Sequence, residues 1–257
     1  AYTWTGPYGS GKSTLALSLL SILTGTKINR DNAAQSYDKD TATRIWNAFP
    51  SCSEGWSAIT VIGERKSPVQ AIAEKLKSNL IMNKDDEETT ENVINSIKAF
   101  ISDKGKNGSL ILIIDEMGKL LEYCVANDRD VLVANDRDVL VANNRDVYLF
   151  QLLAEAATRS SGKFVLVGIL HQTFQEYSSN STKHVRDEWG KIQGRFVDIS
   201  LNLNSSEQIE LISSAISCEH ASKNHLELCE QLVSYLKEIK RAPSENLSEL
   251  LGRCWSL

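Results

Sequence analysis

Gly6, Pro7, Tyr8, Gly9, Ser10, Gly11, Lys12 and Ser13 stand in a row near the start of the chain. They fill every fixed position of the phosphate-cradling pattern G-x-x-x-x-G-K-[ST]. The three glycines let the backbone turn tightly and approach an anion, with N–H groups pointing inward as a nest. From Thr14 the sequence continues Leu15-Ala16-Leu17-Ser18-Leu19-Leu20, which reads as a helix whose positive N-terminal end faces the same anion. In such a loop Lys12 reaches the β- and γ-phosphates of a nucleotide, and the Ser13 hydroxyl ligates Mg²⁺. Gly6 through Thr14 are therefore the candidate nucleotide-binding residues.

A second segment supplies acid. Leu110-Ile111-Leu112-Ile113-Ile114 runs directly into Asp115-Glu116, and an unbroken apolar run suits a parallel strand buried on both faces. Ligands of α/β sheets bind at the carboxyl ends of such strands. Asp115 is expected in the Mg²⁺ shell, and Glu116 is expected to orient and deprotonate the attacking water. Loop and acidic strand together indicate a P-loop nucleoside triphosphatase.

The elements that must position these groups alternate along the chain. Residues 1–5 and 56–62 read as strands, and 68–80 and 89–101 as helices. The acids Asp85, Asp86, Glu87 and Glu88 favour the N-terminal end of the second of these helices. Lys104-Gly105-Lys106-Asn107-Gly108 marks a turn before the acidic strand. Residues 163–170 form a third apolar strand, and 196–201 a last one. This order predicts a three-layer α/β/α sandwich around a mainly parallel sheet. Residues 27–53 read as polar and irregular, with a short helix over 41–49. The texture turns helical after residue 203, so residues 1–203 are assigned to a core and 204–257 to the start of a helical lid.

One stretch is repetitive: Val125-Ala126-Asn127-Asp128-Arg129-Asp130-Val131-Leu132 recurs at 133–140 and, slightly altered, at 141–148. An eight-residue unit is too short for a solenoid repeat. On a helix its apolar stripe drifts by about 80° per copy. The Ca²⁺-loop pattern is absent. The stretch is read as a tandem duplication in a surface connection.

The GPYGSGKST loop, the LILIIDE strand and the KFVLVGIL strand ending in His171-Gln172 resemble the AAA+ and STAND group of ATPases. That resemblance spans residues 5–196. It implies ATP and Mg²⁺ as cofactors, and a sensor role at the γ-phosphate for His171, with Gln172 second. Arg186 and Arg195 become candidates for an arginine finger or second sensor, Arg195 within Gln193-Gly194-Arg195-Phe196 being the better placed. DEMGKLLEY, LVGILHQTFQEY and EWGKIQGRF are similar to large prokaryotic ATPases, some of them in anti-phage defence. A homo-oligomer and fused domains are the partners this implies.

Composition bounds the remaining classes. The chain has 257 residues, 42% hydrophobic and 24% charged, ordinary for a soluble globular protein. A net charge of −5 argues against nucleic acid as a direct partner of these residues. No apolar run approaches the ~18 residues of a membrane span. Cys52, Cys124, Cys218, Cys229 and Cys254 are odd in number and widely spaced, which indicates neither a disulfide framework nor a zinc site and fits a reducing cytoplasm. The chain begins at Ala1 directly in a strand, which is read as a piece of a longer protein. Two other readings stay open: a nucleotide-binding switch with negligible hydrolysis, and a small-molecule kinase. No N-K-x-D guanine-recognition motif and no LSGGQ-like signature is present.

Overall fold

The computed structural model describes residues 1–50, 55–102, 109–134, 137–177, 183–202, 231 and 234. The chain divides into two compact units, Ala1–Leu201 and Asn202–Leu257. The reading of 204–257 as a lid lies outside the described residues, apart from 231 and 234.

The first unit is an α/β sandwich. Its sheet has the order β2-β3-β4-β1-β5, formed by β1 (Tyr2–Thr5), β2 (Ser57–Ile62), β3 (Leu110–Asp115), β4 (Phe164–Leu170) and β5 (Val197–Ser200). Every pairing is parallel, so all five strands end at the same edge. β4 lies between β1 and β3, and the phosphate-loop strand is thus one strand away from the acidic one.

Alternation along β3 explains the two layers. Leu110, Leu112 and Ile114 pack into one apolar cluster and Ile111 and Ile113 into another, all almost wholly buried. Each such side chain contributes about 1.5–3 kcal/mol. On the first face lie α4 (Pro68–Ser78), α5 (Thr90–Ser102), α6 (Met117–Ala134), α7 (Arg137–Arg159), α8 (Phe174–Tyr177) and α9 (Lys183–Gln193). On the second lie α1 (Lys12–Leu23), α2 (Lys27–Ala34) and α3 (Lys39–Ala48). At the β5 edge, the hydroxyls of Thr3 and Thr5 donate to Asp198 Oδ1 at 2.7 and 2.6 Å. These bonds fasten β5 to β1 and steady the strand that carries the loop.

Two segments differ from expectation. Residues 27–34 form a helix, α2, rather than irregular chain, and α3 is the short helix expected over 41–49, begun two residues earlier. Their polar residues serve as caps: Thr26 Oγ1 accepts from Asn29 N–H, and Asp38 Oδ1 from Thr41 N–H. The described residues of the repeat are helical rather than a plain connection, since they belong to α6 and α7. No Gly or Pro lies between Gly118 and Gly162, so beyond Gly118 both helices are free of the strongest helix breakers. The stripe Met117, Leu120, Leu121, Cys124, Val125 is buried at helical spacing, and Val147 and Phe150 are buried in α7. No helix among the described residues is long and apolar enough to cross a membrane.

Candidate functional site

β1 ends at Thr5 and the loop turns back into α1. Gly9 and Gly11 have φ of 79° and 80°, left-handed values that a side chain strongly disfavours. Gly11 is the N-cap of α1, so the free N–H groups of that helix open onto the loop. The Gly6 N–H donates to Leu170 O at 3.3 Å, which ties the loop's first residue to the end of β4.

Lys12 is buried, 4% exposed. Its ammonium donates to Gly6 O and Pro7 O, both at 2.7 Å, and to Ser10 Oγ at 3.2 Å. All three N–H donors are thus held by the loop they would serve. Burial lowers its pKa, and the nearby Asp115 carboxylate opposes that shift.

Ser13 Oγ donates to Asp115 Oδ2 at 2.7 Å, across 102 positions of sequence. Asp115 Oδ1 accepts from Glu116 N–H at 2.9 Å. A hydroxyl and a carboxylate this close match neighbouring corners of an Mg²⁺ octahedron, about 2.9 Å apart for bonds of 2.0–2.1 Å. Both are hard oxygen donors, and phosphates and water supply the other corners of such sites. The residues therefore fit the ion. Among the described residues no group of three or more His, Cys, Asp or Glu converges to hold a metal, so these two residues alone form no all-protein cage.

Glu116 sits in the left-handed region, φ 53°, a costly conformation for a side-chain-bearing residue. Its carboxylate pairs with Lys119, in the first turn of α6. Gly63, at the end of β2, makes the turn possible. Its N–H donates to Asp115 O at 2.7 Å, and a Cβ there would lie 2.1 Å from Glu116 O.

His171 follows β4, between the loop and the acids. Its ring stacks on Tyr8, with centroids 3.6 Å apart and planes at 23°. Both ring nitrogens are closed off from solvent with no hydrogen-bond partner. Burial, then the Lys12 charge, push its pKa below the ordinary value, against the pull of Glu116 and Asp115. Beside the imidazole opens a cleft of about 570 Å³ lined by Tyr8, Glu116, Lys119 and His171, with Arg65 and Glu122 at its wall. Arg65 Nη2 and Glu122 Oε2 are paired there at 3.1 Å.

The expected residues thus gather unevenly. Gly6 to Ser13, Asp115, Glu116 and His171 meet at the carboxyl edge, and Thr14 lies exposed in the first turn of α1. Gln172 lines the cleft. Arg195 does not join them. It precedes β5, whose first residue pairs with Tyr2 at the start of β1, a strand length of roughly 13 Å from the loop. Its Nη2 binds Glu155 Oε1 of α7 at 3.1 Å. Arg186 is exposed on α9. Sequence reasoning missed Lys119 and Gly63. Lys119 carried a signal, because an acid and a base three apart at a helix start face each other.

No family model matches the chain, and no curated protein matches it. Among solved structures it is similar to the Aeropyrum pernix ORC2 protein in ADPNP-ADP complexes, at 12% identity and a TM-score of 0.47. That likeness covers 98% of this chain and 61% of the other. It is one of outline, and the chemistry is carried by this chain's own residues.

Proposed function

We propose that the chain is an ATP-binding domain of the AAA+ type that hydrolyses ATP with Mg²⁺ and drives rearrangement of a larger protein. The observation that carries the reading is the 2.7 Å contact between Ser13 Oγ and Asp115 Oδ2. It joins the two motifs a triphosphatase needs, at the edge where α/β sheets bind ligands. The loop N–H groups and the start of α1 cradle the phosphates, and Lys12 exchanges its loop carbonyls for β- and γ-phosphate oxygens. Mg²⁺, held by Ser13 and Asp115, would offset charge developing between those phosphates. Glu116 leaves Lys119, orients a water in line with the γ-phosphate and takes its proton. His171, unpartnered, offers a ring nitrogen to the γ-phosphate or the water. ATP over GTP follows from the family resemblance and the missing guanine-recognition motif.

Arg195 is exposed at the opposite edge of the sheet, and an arginine-finger role there serves only a neighbouring copy, so the reading includes a homo-oligomer. Fused domains, a cytoplasmic home and a place in prokaryotic defence belong to the same proposal, and nucleic acid would be reached only through segments outside this chain. One observation favours a second reading, a switch that binds ATP and hardly cleaves it. The Glu116 carboxylate is held in an ion pair with Lys119, a contact it must give up before it can take a proton.

Phosphate release from Mg-ATP without an acceptor separates the readings. The hydrolase reading expects turnover that Glu116→Gln abolishes while ATP binding persists. Equal, negligible release from both proteins with ATP bound would replace it with the switch, and ADP formation that needs an added acceptor, without free phosphate, would indicate a kinase.

A further inference from the structure

Tyr8 is an unusual occupant of a phosphate loop, because it is 77% exposed and yet has a defined partner. One face of its ring lies on His171, nearly parallel at 3.6 Å. That imidazole has no hydrogen bond to fix it, since neither ring nitrogen has a partner. A histidine at a strand end that makes no hydrogen bond is free to turn about its side-chain torsions unless packing stops it. The aromatic face of Tyr8 is the ring contact that does so. It also helps to close the imidazole off from water. The charged groups that act on His171 come from several elements: Lys12 from α1, Asp115 and Glu116 from the end of β3, and Lys119 from α6, with Glu64, Arg65, Glu122 and Tyr177 along the same cleft.

We propose that Tyr8 is a positioning residue for His171, setting the plane of the imidazole and passing the state of the phosphate loop to the end of β4. The stack joins two elements that otherwise share one backbone contact in this region, from Gly6 N–H to Leu170 O. A nucleotide that draws Lys12 off Gly6 O and Pro7 O moves the backbone on which Tyr8 sits, and the ring carries that movement to His171. The proposal rests on the hydrolase reading in its assignment of His171, whereas the stack itself does not.

Two measurements test it. The chain has four histidines, so the imidazole C–H signals of His171 are assigned by comparison with His171→Ala. In the wild type they carry an upfield ring-current displacement that is lost in Tyr8→Ala and kept in Tyr8→Phe. Adding ATP moves them in the wild type and moves them much less in Tyr8→Ala. Signals that are the same in wild type and Tyr8→Ala would overturn the proposal. The second measurement is steady-state hydrolysis. Tyr8→Ala lowers kcat by about two- to tenfold, the scale of one lost aromatic contact, with a smaller change in KM, and Tyr8→Phe restores kcat. The double variant Tyr8→Ala/His171→Ala turns over no more slowly than His171→Ala alone. Additive losses, or no rescue by Phe, would show that Tyr8 acts elsewhere and overturn the proposal. If His171→Ala hydrolyses as fast as wild type while the ring-current displacement is present, the sensor assignment fails and the positioning role falls with it.

Discussion

The two edges of the sheet are built from the same five strands and behave differently. At the amino edge the backbone closes on itself. Val197 N–H donates to Ala1 O, Leu110 N–H to Lys163 O and Ser57 N–H to Ser109 O, and Ser160 Oγ bridges Ala157 O and Phe164. The charged pair there, Arg195 with Glu155, lies partly in solvent. At the carboxyl edge side chains do the closing. Lys12 folds onto its own loop, Ser13 reaches Asp115, Glu116 leans on Lys119, and the His171 ring stacks on Tyr8 without a hydrogen bond. Left-handed backbone occurs at both edges, at Gly9, Gly11 and Glu116 here and at Gly55, Ser161 and Gly162 at the other. At the amino edge the polar groups are taken up mainly by backbone. The carboxyl edge holds several charged and polar side chains in mutual contacts that a triphosphate and its metal can take over.

The largest expected effect breaks the second edge. Lys12→Ala removes the cation for the β- and γ-phosphates, and charge-assisted bonds contribute about 1.5–3 kcal/mol each. ATP affinity should fall about a hundredfold or more, read by calorimetry with the variant shown to be folded by circular dichroism. Glu116→Gln comes next. It keeps the shape and loses the base, so hydrolysis should fall by about two orders of magnitude with binding retained, measured as phosphate release beside a binding isotherm.

Gly63→Ala tests the backbone under the site. The added Cβ meets the Glu116 carbonyl at 2.1 Å, a main-chain atom that cannot swing aside. Overpacking of this kind costs about 1–3 kcal/mol, to be read from denaturant unfolding, and turnover should fall with it as Glu116 is displaced. The smallest effect belongs to the other edge. Arg195→Ala loses a partly solvated ion pair, so stability should change by less than about 1 kcal/mol. Turnover measured at high dilution should not change. A loss that emerges only as protein concentration rises would place Arg195 at a neighbouring copy's site.

How legible these edges were follows from how local their causes are. The loop, β3 and β4 were readable because each is written in consecutive residues: glycines where the backbone turns left-handed, and a buried run ending in acid. The sandwich followed from their alternation. Helix α2 was hidden by composition, since it is capped by Thr26 and presents a single buried residue, Arg30, whereas α3 was legible in the apolar residues of 41–49. The eight-residue period disguised α6 and α7, because its apolar positions drift around a helix instead of marking one face. The stack of Tyr8 on His171 and the packing of Gly63 under Glu116 join residues distant in sequence. No local pattern encodes such pairs, and only the strand order reveals them.

The central claim is that Ser13 and Asp115 act as one metal site serving a nucleotide held by the loop. Titration of ATP in the presence of Mg²⁺ and in the presence of a chelator, compared for wild type, Ser13→Ala and Asp115→Asn, tests it most directly. The account predicts tighter binding with Mg²⁺ in the wild type, and loss of most of that difference in both variants, with the chelated affinities staying close together. The same Mg²⁺ dependence in all three proteins would contradict it.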